Sequence, residues 1–219
     1  MDPHEVHHWP LYGLRITTPR LELRVPGIAL LDELAAVAAD EVHDPAEMPF
    51  SFPWTDVAPE ERGRATFQHV LGTIAEWSPR KWTLSLAVLC EGRVVGRQDM
   101  TTGDYAVTRE GETGSWLGLA HQGKGIGTKM RAAVLHLAFG ELGARAMTTG
   151  AMTDNPRSLA VSRKCGYRPD GETVVAVRGA ARTVLRMRLD RAGWKAHRTV
   201  PVEVHGVGAC RGLFGISRG

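Results

Sequence analysis

The sequence predicts a mixed α/β domain, on three observations. Runs with an apolar residue at every second position alternate with runs whose apolar residues recur three and four apart; these are the periods of half-buried strands and amphipathic helices. One strand-like run, Ser115-Trp116-Leu117-Gly118-Leu119, leads through Gln122-Gly123-Lys124-Gly125-Ile126-Gly127-Thr128 into a helical run. The length of 219 residues, with 43% hydrophobic and 23% charged residues, suits one globular core. The expected organisation is an N-terminal extension over 1–13, one domain over 14–196 and a tail over 197–219.

Leu14 to Val25 reads as a first strand, with Leu21, Leu23 and Val25 alternating against Glu22 and Arg24 until Pro26-Gly27 breaks it. Ala29 to Val42 is helical, with Leu30, Leu31, Leu34, Val37 and Ala38 on one side. Prolines at 45, 49 and 53 rule out a regular helix next. The aromatics there exceed what a solvated loop needs, so Phe50, Phe52 and Trp54 are expected to wall an acceptor site. Pro59-Glu60-Glu61 opens a helix to about Trp77, with acids near the positive end of its dipole. Trp82–Leu89 and Arg93–Met100 form a hairpin turned at Glu91-Gly92, and Gly111–Leu119 is the next strand. Lys124–Leu142 is a helix closed by Gly143, Arg145–Thr153 a strand, and Pro156–Lys164 a helix closed by Gly166. Thr173–Arg178 and Thr183–Leu189 pair around Gly179. Residues 197–219 carry glycines, scattered valines and no period, the mark of a mobile tail or an edge-strand appendage.

The most specific signal is the bend. Three glycines within residues 123–127 allow a sharp turn, and the helix behind it presents unpaired N–H groups and a positive dipole end. Together they make a seat for a phosphate. A Walker loop is excluded because Gly123-Lys124 is followed by Gly125, and a dinucleotide fingerprint because the glycine spacing differs. A plain Gly-rich turn is the remaining alternative.

Gln122-Gly123-Lys124-Gly125-Ile126-Gly127 resembles the Gln/Arg-x-x-Gly-x-Gly/Ala loop of the GCN5-related N-acetyltransferase (GNAT) family. Asp154-Asn155-Pro156-Arg157-Ser158, with Gly166-Tyr167 eleven positions after Asn155, is similar to that family's Asn-x-x-Ala/Ser … Gly-Phe/Tyr segment. The resemblance spans about residues 14–190. Ser158 and Ser162, with no Tyr in that helix, tilt it toward the RimJ/RimL-like branch, which also includes enzymes acetylating antibiotics and small amines.

The resemblance implies a mostly antiparallel sheet of six or seven strands, splayed at its centre and flanked by about four helices. It implies acetyl-CoA as acetyl donor, with the pyrophosphate on backbone amides of Gln122, Gly123, Lys124, Gly125, Ile126, Gly127 and Thr128. The pantetheine arm would lie along Trp116, Leu117, Gly118 and Leu119 as an added strand does. Gly118 fits this, since an interior glycine often marks close approach of another chain. Asn155 and Ser158 would bind the arm, or Asn155 would cap its helix. Dimers through sheet edges are common in the family.

Acyl transfer needs a neutral amine and a stabilised leaving thiolate. Many family members use a Tyr seven positions after the Asn as proton donor; Ser162 stands there, a weaker acid that would only orient the thioester. Asp99 and Glu112, near strand ends, are the candidate bases, the alternatives being a water chain or plain solvated charges. Asp44, Glu47, Asp56, Glu60 and Glu61 precede any Lys or Arg in the lid region, so the acceptor is expected to be cationic: a protein N-terminus, a polyamine-like molecule or a basic peptide antibiotic. The rival reading is an acyl-CoA sensor without chemistry.

Net charge +3 is too mild to imply nucleic acid. No apolar run approaches the length of a membrane span, and Met1–Glu5 lacks a secretory pattern. Cys90, Cys165 and Cys210 are widely spaced, which favours a reducing cytoplasm and no metal site. His4, His7 and His8 read as solvated tail residues.

Overall fold

The computed structural model describes residues 6–216, so His4 lies outside the described residues. The elements in order are β1 (Arg15–Thr17), β2 (Leu21–Arg24), α1 (Ile28–Ala39), α2 (Pro59–Ala75), β3 (Lys81–Cys90), β4 (Arg93–Gly103), α3 (Tyr105–Thr108) and β5 (Glu110–Leu117). There follow α4 (Ile126–His136), β6 (Ala146–Met152), α5 (Pro156–Lys164), β7 (Arg168–Val177), β8 (Ala180–Asp190), α6 (Arg191–His197), β9 (Glu203–His205) and α7 (Val207–Cys210).

The nine strands form one sheet in the order β7-β8-β6-β5-β4-β3-β2-β1-β9. All neighbours run antiparallel except β5 and β6. Two strands exceed the expected number, each for a physical reason. The first run folds back on itself at Thr18-Pro19-Arg20: Pro19 has no N–H to give a ladder, and the Leu21 N–H donates to Thr18 Oγ1 at 3.0 Å. The second is β9, which pairs with β1 from Arg15↔His205 to Thr17↔Glu203.

Helices cover both faces. On one, α4 and its short π-type extension Leu137–Glu141 bury Met130, Val134, Leu137 and Phe139 against Leu84, Leu86 and Met100. On the other, α1 and α2 bury Leu31, Leu34 and Val70 against Ala87, Leu89 and Trp116. Tyr167 is core, its phenol sharing a 3.1 Å hydrogen bond with Thr113.

The tail is built into this core. Cys210 and Phe214 are fully buried. Phe214 lies against Trp82, ring centroids 4.9 Å apart, and Trp82 stacks on Trp77. The Trp77 indole N–H donates to the Leu213 carbonyl at 2.9 Å.

One topological detail positions the site. The parallel ladder between β5 and β6 has three pairs, Glu110↔Ala146, Gly111↔Met147 and Glu112↔Thr148. Beyond them β5 stays paired to β4 as far as Leu117↔Gly96, so its other edge borders a gap. The closed end of this wedge is clamped by Glu110, whose two carboxylate oxygens accept from Arg188 of β8 at 2.6 and 2.9 Å. That bond holds the Glu110 carboxyl below the usual carboxylate range.

Candidate active site

The wedge opens into a cavity of about 670 Å³. Its walls are β5, the edge of β6, the glycine bend, the starts of α4 and α5, and the segment 42–54.

The bend forms as its glycines predict. Gly123 and Gly125 adopt left-handed backbone, φ 73° and 75°, with open space where a Cβ would stand. Gly125 occupies the N-cap position of α4 without any side-chain cap, so the first-turn N–H groups of α4 are left for a ligand. Gln122 holds the bend in place: its amide donates to the carbonyls of Val42 at 2.7 Å and Leu117 at 3.0 Å. Gln122, Gly123, Gly125, Gly127 and Thr128 line the cavity. The side chains of Lys124 and Ile126 do not, one exposed and the other buried in the core.

Trp116 and Leu117 line the cavity, whereas Gly118 and Leu119 turn away from it. The N–H of Gly118 donates to Val95 and that of Leu119 to Glu41, at 3.0 and 2.7 Å. A Cβ on Gly118 would stand 3.0 Å from the Val37 side chain. The close neighbour that explains this glycine is therefore helix α1.

On α5, Asn155 and Ser158 line the cavity. The Asn155 side chain accepts from the Ser158 N–H at 3.0 Å, which makes it a helix cap as well. Ser162 does not face the cavity: it is 1% exposed and its hydroxyl donates to the Ser158 carbonyl at 3.1 Å. The two candidate bases also part ways. Asp99 is buried outside the cavity, ion-paired with Arg97 at 2.9 Å and accepting from Ser85 at 2.9 Å. Glu112 lines the cavity at the last rung of the parallel ladder, exposed and with no ion pair among the described residues. It shares its face of β5 with Trp116, because side chains alternate along a strand.

The proline-rich segment forms a wall. Phe50, Phe52 and Trp54 line the cavity. Phe50 packs on Trp54 and Trp54 on Trp116, at 5.2 and 5.6 Å between centroids, while Phe52 is 72% exposed. Of the acids expected at the mouth, only Glu47 reaches the cavity, and Asp56 is instead bound by Arg178 at 2.5 and 2.7 Å. That clasp ties the wall to the β7–β8 turn across the wedge. The Arg178 hydrogen bond holds the Asp56 carboxyl below its ordinary value. The clasp is therefore present above the normal carboxylate range and lost as pH falls through the depressed one. Arg178→Ala at neutral pH is expected to reproduce the acid effect, with faster amide exchange over residues 44–56 and little change in β3 or β4.

Three cavity-lining cations escaped the sequence reading: Arg131, Arg157 and Lys164. Arg157 sits beside the bend, donating to Gln122 Oε1 at 3.4 Å. Arg131 projects from α4 into the wedge, donating to Thr149 Oγ1 at 3.1 Å and Ser115 Oγ at 3.0 Å. It had a signal, a charge inside the apolar stripe Ile126, Met130, Ala133, Val134. The cysteines are all free and buried, and burial pushes the Cys165 thiol up, which keeps it protonated. Among the described residues no cluster of His, Cys, Asp and Glu could hold a metal, and no helix is long and apolar enough to cross a membrane.

A sheet wedged open beside a glycine bend at a helix N-terminus defines a class of α/β domain that receives an extended, phosphate-bearing ligand between two strands. The family model for the acetyltransferase (GNAT) domain matches residues 20–168, and the chain belongs to that family of acetyltransferases.

Among solved structures, the chain is similar to Mycobacterium smegmatis RimJ in complex with CoA-disulfide, at 20% identity and a TM-score of 0.66 over 82% of this chain and 86% of that one. It is similar to RimL, a ribosomal L7/L12 α-N-protein acetyltransferase in complex with coenzyme A, at 19% identity and 0.64, covering 79% and 95%. It is also similar to a GCN5-related N-acetyltransferase from Brucella melitensis, at 22% and 0.65, covering 84% and 81%.

Proposed function

We propose that this protein is an acetyl-CoA-dependent N-acetyltransferase of the RimJ/RimL-like kind that acts on the primary amine of a cationic acceptor, in a ternary complex and without a covalent enzyme intermediate. The observation that carries this reading is the wedge: an unpaired β5 edge leads from the glycine bend to a free carboxylate. The N–H groups of the bend and of the first turn of α4 are placed for the pyrophosphate, with Arg157 and Lys164 on the same wall supplying positive charge. The edge of β5 between the Thr113 carbonyl, which accepts from Thr149 Oγ1, and the Leu117 carbonyl, which accepts from Gln122, would hold the pantetheine amides as an added strand does.

Glu112 is the group positioned to take the proton from the attacking amine, directly or through one water. Glu112 and Glu47 give the acceptor side its negative charge, and Phe50 and Trp54 give it an apolar wall. A basic protein N-terminus, a polyamine-like molecule or a cationic peptide antibiotic fits those groups. The three buried free cysteines accord with a reducing cytoplasm.

With Ser162 bonded to Ser158, the hydroxyl at the expected donor position is turned away from the leaving thiolate. That observation favours a second reading, an acyl-CoA sensor. Release of free CoA with a panel of N-terminal peptides, polyamines and peptide antibiotics separates the two; binding without turnover selects the sensor.

The seat itself is tested by Gly125→Val. The space at Gly125 is open, so the penalty comes from forcing a β-branched residue into left-handed backbone, about 1–2 kcal/mol or more. CoA affinity is expected to fall at least about tenfold in a folded variant. Unchanged affinity would remove the bend from the binding site.

A further inference from the structure

We propose that Arg131 forms the floor of an acyl subsite, and that the protein transfers carboxylate-bearing acyl groups, the half-thioesters of short dicarboxylic acids with coenzyme A, as well as acetyl. The proposal rests on the acyl-CoA reading above.

The starting observation is a buried charge with no counter-charge among the described residues. Arg131 is 4% exposed. Its hydrogen-bond partners are two neutral hydroxyls, Ser115 and Thr149, it lies beside the neutral phenol of Tyr167, and its Nε–H has no acceptor among the described residues. A guanidinium buried without an anion costs several kcal/mol, and an apolar side chain of similar volume is often the more stable choice. Three other charges around the wedge are paired, Glu110 with Arg188, Asp99 with Arg97 and Asp56 with Arg178, whereas those left without an ion pair, such as Glu112, stand nearer solvent than Arg131 does. Arg131 is left facing the cavity.

Its position selects the anion. Ser115 and Thr149 lie on β5 and β6 just beyond the last rung, Glu112↔Thr148. The guanidinium thus spans the wedge near its closed end. The glycine bend follows Leu117, at the open end. A ligand anchored there by its pyrophosphate runs inward along β5 and brings its acyl terminus to the depth of Arg131. An acetyl group ends in a methyl and offers the guanidinium nothing. A carboxylate a few bonds past the thioester carbonyl pairs with the cavity-facing side of the guanidinium in a charge-assisted contact.

The chemistry balances as ordinary acyl transfer. The amine nitrogen bonds to the thioester carbonyl carbon and the C–S bond breaks. Coenzyme A leaves as thiolate and takes up a proton, while the amine loses one. The product is an amide bearing a free carboxylate, so a cationic acceptor loses its charge and gains a negative one.

The test is calorimetric titration of the full chain with CoA, acetyl-CoA and succinyl-CoA, for the wild type and for Arg131→Met. The wild type is expected to bind succinyl-CoA roughly tenfold or more tightly than acetyl-CoA. Arg131→Met is expected to bind succinyl-CoA and acetyl-CoA alike, within about threefold of each other. Should that variant not fold, Arg131→Lys, which keeps the charge without the fork, is expected to narrow the preference at least about threefold. Equal affinities in the wild type, or a preference that survives the substitution, overturns the proposal. If none of the three thioester and thiol forms binds, the acyl-CoA reading fails as well; if acetyl-CoA binds without preference, only the subsite fails.

Discussion

Glu112→Gln is expected to lower turnover by roughly 10²- to 10⁴-fold at saturating donor and acceptor, the usual span for removing a positioned general base. The substitution keeps the side chain's shape and its place in the β5 ladder, so coenzyme affinity and melting temperature should stay near wild type. The contrast with Asp99 sharpens the assignment. Both carboxylates project from the same face of neighbouring strands, since Asp99 stands opposite Gly114 and Thr101 opposite Glu112. Asp99 is consumed by Arg97 and Ser85 and lies outside the cavity. Asp99→Asn leaves Arg97 without its buried partner, and its main effect should be lost stability. Initial rates and thermal melts of the two variants, run side by side, check the division. Wild-type turnover in a folded Glu112→Gln enzyme would transfer the proton to a water chain.

Phe214→Ala is expected to cost about 3–5 kcal/mol of unfolding free energy, the range for deleting a fully buried aromatic ring. Phe214 is 0% exposed and touches both members of the Trp77–Trp82 stack. No rearrangement of small side chains can fill that space, because its walls are two indoles and the Tyr105 ring beyond Trp82. Urea unfolding followed by tryptophan fluorescence reads the loss and the altered indole environment together. A loss under about 1 kcal/mol would mean that the tail packs loosely on the core.

The parts of the fold carried by short-range chemistry were legible in the sequence. Pro156 at the first turn and Asn155 before it define α5 from Pro156 to Lys164, as the structure has it. Glu91-Gly92 turns the β3–β4 hairpin with both residues at positive φ, 53° and 79°. What depended on distant partners was not legible. The split of the first run into β1 and β2 follows from an Oγ1 hydrogen bond and from β9, nearly two hundred residues away. The short helix α3 is held by the Tyr105 ring buried under Trp82, which no local period announces.

The site divides in the same way. Among backbone-driven features, the bend follows from glycine placement, and the open β5 edge was implied by the family resemblance. Side-chain directions follow from neither. Ser162 was expected to reach the thioester, yet it sits on the inward side of α5 and bonds its own helix. Gly118 was expected to admit a ligand, and it admits Val37. Arg131 broke an apolar stripe in plain view, but only the structure shows that no carboxylate among the described residues pairs with it.

The placement of β9 has a consequence for biosynthesis. Residues 203–216 leave the ribosome after every other strand of the sheet has been made, yet they cover the edge of β1 and supply the ring that closes the indole stack. A nascent chain lacking them presents an unpaired strand and an uncovered aromatic surface together, the two features that recruit chaperones or drive association between chains.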